Sequence, residues 1–189
     1  MKEKLKNLCT DIWNVPNVLT MIRIALIPVF VVLYVNGQQK AALAVFLAAS
    51  FTDYLDGYLA RKLNQITAFG KLMDPLADKI MVLTAFLCQT ISGVLPWAAF
   101  IIVLGKELVL VIGGMFMLNK NVVVYSNMLG KVAMCFFIAS LTLSFFHAEF
   151  AAVAFPLDVI LLWITVVLTL AALVGYVVPA IKVLREQKK

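Results

Sequence analysis

Four aspartates are set in a chain otherwise built for lipid, and their types and spacing are what could do chemistry. The run Asp53-Tyr54-Leu55-Asp56-Gly57-Tyr58-Leu59-Ala60-Arg61 is followed by Gly70, Asp74 and Asp78. An ionised side chain at bilayer depth costs about 2.5–3.5 kcal/mol on insertion scales. Four carboxylates in one short stretch therefore require compensation. At 3.6 residues per turn, Asp53, Asp56, Gly57, Ala60 and Arg61 fall on one helical face. Asp74 and Asp78 are one turn apart on the next helix, and a short connection predicts that the two helices run antiparallel with both acidic groups around one cavity. Like charges so close repel and raise one another's pKa values. A hard divalent cation, Mg²⁺ or Mn²⁺, relieves that repulsion and commonly brings phosphate with it. Gly57 and Ala60 leave room for a bulky group to approach the backbone, and Arg61 offers a fork to phosphate oxygens. Together these residues predict an enzyme that acts on an activated phosphate-containing substrate, with one carboxylate left as general base.

The elements that must hold these residues are apolar helices. The 189-residue chain is 63% hydrophobic, with mean hydropathy +1.01, against about 45–50% apolar residues in soluble domains. Apolar runs at 18–36, 40–60, 74–93, 96–118, 129–147 and 157–181 are each near membrane-spanning length. In hydrocarbon the backbone must satisfy its own hydrogen bonds, so these runs are expected to be α-helical. The lack of period-two alternation excludes a β-barrel. Ahead of them, Leu5, Leu8 and Ile12 recur at helical intervals among Lys2, Lys4, Lys6 and Asp11, with Trp13 as an aromatic anchor. This pattern predicts an interfacial amphipathic helix over residues 1–15. The expected fold is an all-α integral membrane protein: six transmembrane helices forming one domain over 16–189, preceded by that helix.

The formal net charge of +6 matters through its placement. Basic residues gather at Lys2, Lys4 and Lys6, at Arg61, Lys62 and Lys71, at Lys120 and Lys131, and at Lys182, Arg185, Lys188 and Lys189. The intervening connections hold few. By the positive-inside rule both termini are cytoplasmic, and the basic face suits anionic headgroups; no nucleic-acid partner is expected. Cys9, Cys88 and Cys135 have neither disulfide nor metal-ligand spacing and read as packing residues. No removable signal peptide is expected. A cation transporter would spread its acidic residues through the membrane thickness, whereas here they cluster toward one side, and no internal repeat supports a duplicated transporter fold.

With its spacing complete, Asp53-x₂-Asp56-Gly57-x₂-Ala60-Arg61-x₈-Gly70-x₃-Asp74-x₃-Asp78 resembles the signature of the CDP-alcohol phosphotransferases. The resemblance extends to Asn14-Val15-Pro16-Asn17-Val18-Leu19-Thr20-Met21-Ile22-Arg23 with Pro28, and to Asp74-Pro75-Leu76-Ala77-Asp78-Lys79. These are most like the family's bacterial branch that uses glycerol 3-phosphate. The resemblance implies that Asp53, Asp56, Asp74 and Asp78 surround two Mg²⁺ or Mn²⁺ ions and that Asp78 is the catalytic base. It implies that Asp53, Asp56, Gly57, Ala60, Arg61 and Gly70 bind CDP-diacylglycerol, with Gly70 permitting the turn between helices. The implied reaction is single displacement: the hydroxyl of glycerol 3-phosphate attacks the β-phosphorus and CMP leaves. A homodimer in the cytoplasmic (inner) membrane of a bacterium is also implied.

Glycerol 3-phosphate needs a basic pocket, for which Lys106, Lys131, Arg23 and Ser126 are the candidates, with Asn127 as a further neutral donor. Arg23 lies about two turns into the first span and has a second reading, a structural pairing with a carboxylate. The chain departs from the family pattern at Gly105-Lys106-Glu107, where an arginine usually precedes the glutamate, and after Gly130-Lys131, where a polar residue usually follows. Lysine keeps the charge and loses the fork. Cardiolipin synthesis, with phosphatidylglycerol as acceptor, is therefore the alternative within the family. His147 reads as an interfacial residue, Gly113-Gly114 as a close-packing site for a helix or a second copy, and Trp97 and Trp163 as part of an aromatic belt.

Overall fold

Two hairpin ends show how the sequence writes the fold. Helix α1, Val15–Val35, stops at Gly37, whose φ of +74° suits glycine. The Gly37 amide donates to the Tyr34 carbonyl and the Gln38 amide to the Leu33 carbonyl, both at 3.0 Å. This pair of bonds is a Schellman cap, which satisfies carbonyls that the helix end would leave bare. Helix α3, Ala68–Ile91, ends the same way: Gly93 has φ +79°, and the Gly93 and Val94 amides reach the Thr90 and Gln89 carbonyls.

The computed structural model describes the backbone of residues 15–62, 68–119, 128–152 and 156–186, and the side chains of 18–52, 76–114, 128–150 and 156–179. All regular structure in these residues is helical. Between α1 and α3 lies α2, Gln39–Lys62. Then come α4, Trp97–Asn119; α5, Met128–Leu143; a 3₁₀ turn, Ser144–Phe146; α6, His147–Ala152; and α7, Leu157–Glu186. Pro96 and Pro156 stand immediately before α4 and α7, where a missing amide costs no helical bond. The amphipathic helix expected over 1–15 lies outside the described residues, apart from Val15.

Among the described residues four stretches are long and apolar enough to cross a membrane: Val18–Val35, Trp97–Gly114, Met128–Phe150 and Leu157–Pro179. In α2 the apolar stretch is the shorter Gln39–Thr52. The second half of α2 and the first half of α3 carry Asp53, Asp56, Arg61, Lys71, Asp74, Asp78 and Lys79, so the residues with chemical potential are also those that dilute hydropathy there. Large apolar side chains such as Val32, Ile101, Ile112 and Val167 are exposed around the helices. Lipid covers such surfaces.

The chain divides into two units, Met1–Cys88 and Gln89–Lys189. In the first, α1 packs along α2. The contact stripe of α2 is Ala42, Phe46 and Ala49, all fully buried, and that of α1 includes Thr20, Arg23 and Phe30. The Phe30 ring lies 6.3 Å from Phe46 and 5.8 Å from Tyr34. In the second unit, α7 packs against α5 and α4. A Cβ at Gly114 of α4 would sit 3.9 Å from the Tyr176 hydroxyl of α7, ordinary van der Waals contact, so the packing of α4 on α7 does not demand glycine there. The fifth apolar run, expected to be one helix over 129–147, is interrupted by the 3₁₀ turn. There Ser144 Oγ lies 2.7 Å from the Leu141 carbonyl and 2.5 Å from Gln89 Oε1, while Gln89 Nε2 donates to the Leu141 carbonyl at 3.1 Å. Side chains thus supply hydrogen bonds at the break, which an apolar medium would otherwise make costly.

Candidate active site

The acidic residues sit where α2 ends and α3 begins. Asp53, Asp56, Gly57, Ala60 and Arg61 occupy the last three turns of α2, which closes at Lys62. Gly70 and Asp74 lie in the first two turns of α3, and Asp78 in its third. The backbone at all of these positions is helical. The side chains of Asp53, Asp56, Arg61 and Asp74 lie outside the described residues, as do Ser126 and Asn127 altogether. Asp78 is half-buried between Ala77 and Met81, which are fully buried. Among the described residues no three metal-ligating side chains cluster. The chemistry of the set still suits a divalent cation: four carboxylates supply hard oxygen donors and no soft ligand stands among them.

One detail differs from expectation. Gly70 is the third residue of α3 rather than part of the connection, which comprises residues 63–67. The first turn of a helix tolerates glycine because its amides have no intrahelical acceptor to lose.

Directly upstream of the acidic residues is a buried polar contact that sequence reasoning located only in part. Arg23 of α1 is 1% exposed, and its Nε donates to the Ala49 carbonyl of α2 at 3.3 Å. Thr52 Oγ1 donates to the same oxygen at 2.7 Å. Thr20, one turn before Arg23, is buried as well. A threonine three residues before an arginine inside an apolar run was the available signal for a polar seam.

In the second unit, Lys106 Nζ lies 2.5 Å from Glu107 Oε1, with side chains 12% and 17% exposed. Neighbouring positions on a helix diverge by about 100°, so the lysine stem must fold across to make this pair. Lys131, on the first turn of α5, is exposed. His147 is more than an interfacial residue: its Nδ1 is 2.6 Å from Asp158 Oδ2, and the Asp158 side chain is fully buried at the start of α7. Ser140 Oγ donates to the Asp158 carbonyl at 3.2 Å.

A family model for the CDP-alcohol phosphatidyltransferases matches residues 13–171, which include every residue of the acidic signature. The chain is 33% identical over 176 residues to the CDP-diacylglycerol–glycerol-3-phosphate 3-phosphatidyltransferase of Bacillus subtilis (strain 168), covering 85% of this chain and 91% of that one. It is 35% identical over 130 residues to the protein of the same name from Aquifex aeolicus (strain VF5), covering 68% and 73%. It is also 36% identical over 101 residues to a cardiolipin synthase (CMP-forming) / mitochondrial hydrolase fusion protein of Schizosaccharomyces pombe, covering 53% and 17%. Spaced carboxylates on successive helices and a family match over most of the chain lead to one conclusion: the protein belongs to the CDP-alcohol phosphatidyltransferases, a family of transferases.

Proposed function

We propose that this chain transfers the phosphatidyl group of CDP-diacylglycerol to glycerol 3-phosphate, giving phosphatidylglycerophosphate and CMP in phospholipid biosynthesis. The observation that carries the proposal is the complete acidic signature on the end of α2 and the start of α3, within a chain whose relatives bear that activity in their names.

Asp53, Asp56, Asp74 and Asp78 would hold divalent ions, two per site, Mg²⁺ or Mn²⁺. When bound, such ions supply positive charge to the pyrophosphate oxygens. Arg61 forks onto the same pyrophosphate, and Gly57, Ala60 and Gly70 leave the backbone open to the nucleotide. Asp78 accepts the proton of the acceptor hydroxyl as that oxygen bonds to the β-phosphorus; the bond from phosphorus to the CMP oxygen breaks. One nucleophile and one leaving group suffice, so no covalent enzyme intermediate forms. Lys106, Lys131 and Ser126 are assigned to the acceptor's phosphate on charge and donor chemistry.

The finer architecture belongs to the same proposal. It comprises six spans in one domain over 16–189, an interfacial helix over 1–15, both termini cytoplasmic in a bacterial inner membrane, and a homodimer. Placement of the basic residues supports the orientation.

A second reading, cardiolipin synthesis, is favoured by the yeast relative and by the lysine at position 106. An acceptor panel separates the two. Purified protein with CDP-diacylglycerol and Mg²⁺ should release CMP with glycerol 3-phosphate; release only with phosphatidylglycerol would move the assignment.

A further inference from the structure

We infer that Arg23 is a positioning residue for the acidic signature, anchoring α2 one turn before Asp53 and so setting the affinity of the donor set for a divalent cation. The inference rests on the reading of Asp53, Asp56, Asp74 and Asp78 as metal-holding residues. Among the described residues Arg23 is the largest fully buried side chain. Its Nε bond ends on the Ala49 carbonyl, which Thr52 Oγ1 also reaches. In α-helical register that oxygen is the acceptor for the amide of residue 53. Two side-chain donors and the helix's own amide thus converge on one carbonyl with two lone pairs, at the turn where the signature starts.

The packing points the same way. Ala42, Phe46 and Ala49 form the buried stripe of α2, and at intervals of three and four residues the next positions on that stripe are 53 and 56. The α1–α2 seam therefore leads into the acidic residues without a change of face. At 1% exposure Arg23 is closed off from solvent, and its Nε is spent on the α2 backbone.

The test uses the full chain in nanodiscs. Mn²⁺ is titrated without substrate by electron paramagnetic resonance, and CMP release is measured at varied Mg²⁺ and varied glycerol 3-phosphate. Arg23→Gln should weaken Mn²⁺ binding about tenfold, as loss of a supporting partner around metal ligands does. The Mg²⁺ concentration for half-maximal release should rise in parallel, with KM for glycerol 3-phosphate within about twofold of wild type. Arg23→Lys, which keeps charge but not the planar donor, and Thr52→Val, which removes the second bond to Ala49, should shift Mn²⁺ binding in the same direction by less. These two decide the matter if Arg23→Gln does not fold. Unchanged Mn²⁺ titrations in the folded variants overturn the inference, and a raised KM for glycerol 3-phosphate alone would make Arg23 an acceptor ligand. Wild-type protein that binds no Mn²⁺ or releases no CMP would instead remove the transferase reading on which the inference stands.

Discussion

Two buried charges, one in each unit, show two ways of keeping an ionisable group inside an apolar helical protein. Arg23 in the first unit sends its Nε to a backbone carbonyl on the neighbouring helix, one turn from the acidic signature. Asp158 in the second unit meets His147 and stands in the first turn of α7, where the helix macrodipole favours negative charge. Among the described residues its Oδ1 finds no hydrogen-bond partner. The first charge belongs to a seam whose helical face runs on to Asp53 and Asp56. The second closes the reversal between α5 and α7, and nothing in its surroundings carries the acidic pattern of α2 and α3. The difference teaches that a buried charge is read by what its helical face leads to: the acidic signature for Arg23, a helix reversal for Asp158.

That comparison breaks if loss of metal leaves turnover intact. Chelation with EDTA should abolish CMP release, and added Mg²⁺ should restore it. Asp78→Asn should lower kcat by about 10²–10⁴-fold, the usual contribution of a positioned general base; near-normal turnover would remove Asp78 from that role. Lys106→Met should raise KM for glycerol 3-phosphate by about tenfold while leaving kcat within a fewfold, a loss of acceptor binding rather than of chemistry. An unchanged KM would reduce the Lys106–Glu107 pair to a structural contact.

The smallest effect on activity, and the sharpest contrast, is expected in the second unit. His147→Ala strips the buried Asp158 carboxyl of its partner and should cost about 1–3 kcal/mol of stability, read as a lower unfolding midpoint in detergent. Activity per folded molecule should be unchanged. Asp158→Asn keeps an acceptor for the histidine and should cost less. If His147→Ala instead cut turnover at constant stability, the division between the two regions would fail.

Sequence by itself determined the periodic facts: the apolar runs and the spacing of aspartates over α2 and α3. These follow from local rules, since a helix repeats every 3.6 residues; the caps at Gly37 and Gly93 were not read from the sequence. The same runs did not reveal that the fifth is broken at Ser144–Phe146, because the hydrogen bonds that make the break tolerable come from Gln89, more than fifty residues away. Tertiary structure alone decided which polar residues found one another. Arg23 has several possible partners in a linear reading and meets Ala49; His147 reads as an interfacial residue and meets Asp158. Pairing across helices depends on how their stripes dock, and in an apolar medium that docking selects the polar contacts each buried charge makes.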